Sequence, residues 1–110
     1  MRPRLTAEFW VAAYLARLEQ AAIPAYLTAK GDKTAGAVAV KVATMDGRAS
    51  VFTRAYGADG ERVWAPLAEA APETEADEAL ARQRRFDPDL WIVEIEDPKG
   101  RTLLDEEGLD

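Results

Sequence analysis

Residues 81–96 read ARQRRFDPDLWIVEIE, and a change of secondary structure is written into them. The first six residues carry Arg82, Arg84 and Arg85 and end at Phe86. Asp87-Pro88 must stop a helix there, because the residue before proline is excluded from the α region and proline cannot donate to the helical ladder. Leu90 to Ile95 then runs apolar and β-branched, which predicts a well-buried strand. An Asp-Pro-Asp corner therefore joins a helix to a strand and gathers three arginines, Phe86 and Trp91 around one turn.

Upstream, Thr74 and Asp77 have the spacing of a capping box. They predict a helix with Ala76, Ala79, Leu80, Gln83 and Phe86 on its inner face, preceded by an acidic, Ala-rich linker from Ala68 to Glu73. Its charges run from Glu73, Glu75, Asp77 and Glu78 to the arginines, as the helix macrodipole favours, and Glu78 and Arg82 form an i,i+4 pair. Downstream, Asp97 to Arg101 reads as a turn and Thr102 to Leu104 as a short final strand.

Between Ala25 and Leu67 the apolar period falls to two, with Val38, Val40 and Val42 on one face and Ala39, Lys41 and Ala43 on the other. Four short strands fit, punctuated at Gly31-Asp32, Asp46-Gly47 and Asp59-Gly60, where tight turns demand positive φ; a meander of antiparallel hairpins is the economical arrangement. Met45-Asp46-Gly47-Arg48 is the clearest hairpin tip. Before Pro24, a helix over residues 7–22 follows from Thr6 as N-cap and from Trp10, Tyr14 and Leu18 at four-residue intervals.

The expectation is an α+β fold: one mostly antiparallel or mixed sheet of about five strands packed by two helices, in the order α-β-β-β-β-α-β. The small residues at Ala39 and Ala43 leave room for a helix on the second face, which would make three layers. With 110 residues, 48% hydrophobic and 31% charged, the chain suits a single domain over 1–110 with short flexible arms at 1–5 and 105–110. The segment MRPRLTAEFW lacks the continuous apolar core of a secretion signal, and there is no cysteine, so a cytoplasmic location is expected. A net charge of −6 disfavours nucleic acid and acidic membranes as partners.

The run ARQRRFDPDLWIVEIEDPKGRTLLDE, with LTAEFWVAAYLARL, IPAYLTAKGD and GAVAVKV, resembles a family of small alphaproteobacterial proteins designated domain of unknown function 1491. The ARQRRFDPDLW segment is the specific part of the likeness, which spans nearly the whole chain. The resemblance implies an intracellular bacterial domain, a layered α/β sandwich, and no assigned activity or catalytic residue.

Without histidine or cysteine, the chain cannot build a Ser-His-Asp triad, a Cys-His dyad, a zinc finger or a histidine-ligated metal site. Gly31 and Gly36 stand as far apart as the glycines of a phosphate loop, but Ala37 and Val38 occupy the positions of its Lys and Ser/Thr, so a hairpin turn is expected. Lys41 is expected to lie in solvent rather than to act as a desolvated catalytic amine. Trp10, Trp64 and Trp91 are read as packing residues, with an interface as the other use of such side chains.

Two clusters retain chemistry. Arg82, Arg84, Arg85, Asp87 and Trp91 make a partner-binding candidate, because Arg and Trp concentrate at binding hot spots. Asp87, Asp89, Glu94 and Glu96, with Asp97 beside them, form the only carboxylate cluster that could hold Mg²⁺, although turn and strand geometry select the same residues. The leading expectation is a non-enzymatic interaction or adaptor module without a cofactor, whose partner is a protein, a peptide or a second copy of the chain. A Mg²⁺-dependent hydrolase or nuclease is the alternative. A nucleic-acid module, with the arginines on phosphates and Trp91 stacked on a base, is the third reading.

Overall fold

The computed structural model describes residues 5–56 and 62–106. The Asp59-Gly60 turn, residues 1–4 and residues 107–110 lie outside the described residues. The elements are α1 (Ala7–Gln20), β1 (Ala25–Ala29), β2 (Val38–Ala43), β3 (Arg48–Tyr56), β4 (Arg62–Pro72), α2 (Glu73–Phe86) and β5 (Trp91–Glu96). Their order is the expected α-β-β-β-β-α-β, and the sheet is mixed.

Strand order is β1-β5-β2-β3-β4. β2, β3 and β4 form the expected antiparallel meander, turning at Met45 and Gly47 with positive φ. β1 and β2 do not form a hairpin. β5 enters between them, parallel to β2 with Val40 beside Val93, and antiparallel to β1. β5 is among the most apolar strands of the chain, so the central position buries both its faces.

That insertion explains the two glycines. The connection from β1 to β2 must cross the start of β5, and a Cβ on Gly31 would sit 1.8 Å from the Asp89 carbonyl oxygen. The residues 31–36 are therefore a crossing, not a hairpin turn. Asp32 N–H donates to the Asp89 carbonyl at 3.0 Å, and Trp91 N–H donates to the Ala37 carbonyl at 2.8 Å.

A helix covers each face. On one face α1 packs Trp10, Val11, Tyr14 and Leu18 against Val38, Val40, Val42, Trp91, Val93 and Ile95. On the other, α2 packs Ala76 and Leu80 against Ala39, Ala49, Val51 and Ile92. The alternation of valines and alanines along β2 thus assigns a bulky core to one side and a close helix approach to the other, giving three layers. Thr6 caps α1 as expected, accepting from Phe9 N–H at 3.3 Å, and the helix ends at Gln20 with Ala22 at positive φ before Pro24.

Three local expectations are corrected. Ala68 to Pro72 is not a linker but the end of β4, paired to β3 through Val51 and Arg48. The Thr74–Asp77 capping box does not form: α2 starts at Glu73, its cap is Pro72, and the Gly47 carbonyl accepts from Glu73 N–H at 2.9 Å, so a hairpin tip closes the helix. Thr102 to Leu104 is irregular rather than a strand, with Leu103 at positive φ. The turn at Asp97 holds, with Arg101 N–H and guanidinium both donating to the Asp97 carboxylate.

Candidate functional site

The corner between α2 and β5 is built by its own side chains. Asp87 closes the helix, its N–H donating to the Gln83 carbonyl at 2.9 Å, and its carboxylate accepts from Asp89 N–H at 3.1 Å. Arg84 acts as a clip: Nε donates to the Pro88 carbonyl at 3.1 Å and Nη2 to the Lys30 carbonyl at 3.2 Å, tying the helix end to the turn and to the end of β1. The guanidinium fork reaches carbonyls of two separate segments, a task suited to its planar set of donors.

The five partner-binding candidates thus divide. Arg82 and Arg85 are exposed and form no ion pair among the described residues; the expected Glu78–Arg82 pair is not made. Arg84 and Asp87 are engaged in holding the corner. Trp91 is 4% exposed, and its indole N–H donates to the Asp32 carbonyl at 2.7 Å, so its ring belongs to the core and offers no stacking face. Phe86, expected on the inner face of the helix, is instead 82% exposed beside Arg82 and Arg85. It is the last residue of α2 and is not part of the core that Ala76 and Leu80 join beneath the helix.

The four carboxylates considered for Mg²⁺ are not brought together. Asp89 precedes β5 and Glu94 lies within it, so five residues of nearly extended chain separate them, about 16 Å. One Mg²⁺ binds its ligands within about 2.1 Å and cannot span that distance. No group of three or more carboxylates placed to hold a metal ion occurs among the described residues.

The residue that sequence reasoning misplaced is Lys41. It is buried, 3% exposed, with Nζ donating to Asp77 at 2.6 Å and Glu73 at 2.8 Å and lying 3.2 Å from Glu94. Alternation put it on the correct face, but that face is covered by α2, whose first turn presents Glu73 and Asp77 four residues apart; Glu94 is its direct neighbour in the parallel register. Burial alone would push the lysine pKa down, yet hydrogen bonding to Asp77, Glu73 and Glu94 outweighs it and raises the pKa above its ordinary value. A nucleophilic lysine needs a free amine, so this one is a charged strut, not a catalyst. The signal available was the strand itself: a single charge inside VAVKVA, followed on the chain by a helix rich in carboxylates in its first turn.

No helix among the described residues is long and apolar enough to cross a membrane. The family described as "Protein of unknown function (DUF1491)" matches residues 5–105. Among solved structures, the crystal structure of a DUF1491 family protein from Caulobacter crescentus CB15 is 42% identical, with a TM-score of 0.85 over 94% of this chain and 97% of that one. An NMR structure of a DUF1491 family protein from the same organism is also 42% identical, with a TM-score of 0.83 over 96% of each chain. The solution structure of protein Atu0922 from A. tumefaciens is 33% identical, with a TM-score of 0.73 over 86% of each. No curated protein matches the chain.

Proposed function

The chain belongs to the DUF1491 family of proteins of unknown function, and we propose from that premise that it is a non-enzymatic interaction module docking an acidic protein segment at the α2–β5 corner. The observation that carries this reading is Phe86, 82% exposed at the end of a helix and flanked by Arg82 and Arg85. An exposed aromatic ring with arginines beside it has the composition of a binding hot spot. The Arg84 clip supports the same reading, because a fixed corner loses little conformational freedom when a partner docks.

The partner is acidic because two unpaired guanidinium groups present ten N–H donors and no acceptor. The apolar residue that covers Phe86 supplies the affinity, and the arginines supply orientation and rate. Recruitment to an assembly, in the manner of an adaptor, is the role that needs nothing more than such a surface.

The test is affinity capture from an alphaproteobacterial extract treated with nuclease, comparing the unaltered chain with Arg82→Glu/Arg85→Glu and with Phe86→Ala. These side chains are exposed, so both variants should melt as the parent does. A protein bound by the parent, lost in both variants and released by moderate salt would support the proposal. Capture unchanged in both variants would place the interface elsewhere, and sedimentation of the parent as a dimer that both variants abolish would identify a second copy as the occupant.

A further inference from the structure

The charges of α2 divide into two sets. Glu73 and Asp77 hold Lys41, and Arg84 holds the corner, so all three are engaged within the chain. Glu75, Glu78, Arg82 and Arg85 are exposed, and none of them forms an ion pair among the described residues. At about 100° per residue these four and Phe86 fall within one sector of about 100°, opposite the Ala76 and Leu80 that rest on the sheet. Their positions follow the three-then-four spacing of a seam between two packed helices. The macrodipole accounts for acid before base along the helix, but not for a free, outward stripe at seam spacing.

The stripe is complementary to itself. Residue 80 is the midpoint between Glu75 and Arg85 and also between Glu78 and Arg82. A second copy laid antiparallel about a two-fold axis at the level of Leu80 therefore sets its Arg85 against Glu75 and its Arg82 against Glu78, and symmetry makes each contact twice. Every opposed pair is then of opposite sign. A parallel arrangement would set Glu75 against Glu75 and Arg85 against Arg85, which like-charge repulsion opposes. Ala79 and Ala81 flank the midpoint, one on each side of the stripe, and their small side chains let the helices approach. The two-fold axis also brings like flanks together, which carries Phe86 to the exposed Pro72 at the start of the other helix.

We propose that two copies of this chain associate through the outward face of α2, antiparallel about that axis. The inference rests on the reading of the α2–β5 corner as a docking surface and names the acidic segment it meets, the first half of α2 in a second copy. Exposed ion pairs contribute little each, and a helix of 14 residues, about 21 Å long, offers less than a standard interface. The dimer is accordingly reversible, with a Kd of about 10–100 µM.

Sedimentation velocity over concentrations that bracket this range tests the pairing, with circular dichroism as the check on folding. The parent should dimerise. Arg82→Glu/Arg85→Glu and Glu75→Arg/Glu78→Arg each oppose like charges across the axis, and each alone should raise Kd at least about tenfold. An equimolar mixture of the two variants should dimerise at least as well as the parent, because every opposed pair is again of opposite sign; misfolded variants would not recover in this way. Phe86→Ala should weaken the parent dimer about three- to tenfold. A parent that stays monomeric, a mixture that stays monomeric, or a dimer that either charge variant retains overturns the proposal. The corner fails separately: a dimer lost in Arg82→Glu/Arg85→Glu but kept in Glu75→Arg/Glu78→Arg refutes the α2 pairing and leaves the corner as a docking surface, whereas capture from extract that neither Arg82→Glu/Arg85→Glu nor Phe86→Ala alters refutes the corner.

Discussion

Replacing Lys41 by methionine removes the cation and keeps an unbranched side chain of similar length, leaving Glu73, Asp77 and Glu94 facing an apolar stem. Removing one partner of a buried ion pair costs about 3–5 kcal/mol, because the remaining charge is stranded. Here the carboxylate side chains keep 44%, 55% and 33% of their surface in water, so they rehydrate in part and the cost falls to about 2–3 kcal/mol. For a domain of this size that is a loss of about 10 °C in melting temperature and about 2 M in urea midpoint. Neutralising the three acids as well, in Lys41→Met/Glu73→Gln/Asp77→Asn/Glu94→Gln, should recover most of the loss, since an uncharged site strands nothing. Urea unfolding followed by tryptophan fluorescence measures both variants. A single variant as stable as the parent, or a quadruple variant no better than the single, would refute the strut. The pH dependence has a definite sign. The folded pKa of Lys41 is raised above its ordinary 10.5, so its contribution is complete below that value and disappears only at more alkaline pH.

Asp97 behaves in the opposite sense: hydrogen bonds from Arg101 hold its pKa at about 2 against an ordinary 3.8, so its contribution is present above pH 3.8 and is lost as pH falls through about 2. Asp97→Asn should therefore flatten the acid limb of the stability curve, as read by circular dichroism. Gly31→Ala would place a Cβ 1.8 Å from the Asp89 carbonyl and should cost at least about 3 kcal/mol in urea unfolding, whereas Gly47→Ala, with φ +85 and open space, should cost only about 1 kcal/mol. Arg84→Ala should lose about 1–2 kcal/mol and speed amide exchange at the end of α2, while Arg85→Ala changes stability by less than about 0.5 kcal/mol. Tyr14→Phe deletes a buried hydroxyl that donates to the Thr102 carbonyl at 2.7 Å, and should lower stability by about 1 kcal/mol in the same assay.

Much of the fold was legible because its determinants are local. The valines of β2, the Asp46-Gly47 turn, the Thr6 cap and the stop at Asp87-Pro88 each act within a few residues, and each formed where it was read. The errors share one cause. The capping box at Thr74, the linker at Ala68 and the exposed Lys41 were judged from neighbours in sequence, whereas Gly47, Val51 and Glu94 are their neighbours in space. Phe86 falls on the apolar stripe of α2, but at its last residue, outside the core that Ala76 and Leu80 join. The Trp64 indole N–H, buried without an acceptor among the described residues, has no sequence signature, since satisfaction of a donor depends on what folds over it.

The sequence by itself determined the class of the fold, the order of its elements, the two faces of β2 and the exclusion of histidine and cysteine chemistry. These follow from side-chain period, backbone stereochemistry and composition, which operate without reference to distant residues. Tertiary structure alone decided that β5 enters between β1 and β2, and that decision carried the rest with it. It turned Gly31 into a point of close approach, set Glu94 beside Lys41, and buried Trp91 while leaving Arg82, Arg85 and Phe86 in solvent. Strand order is chosen by which strand gains most from burial on both faces, a competition among all the strands that no single segment records.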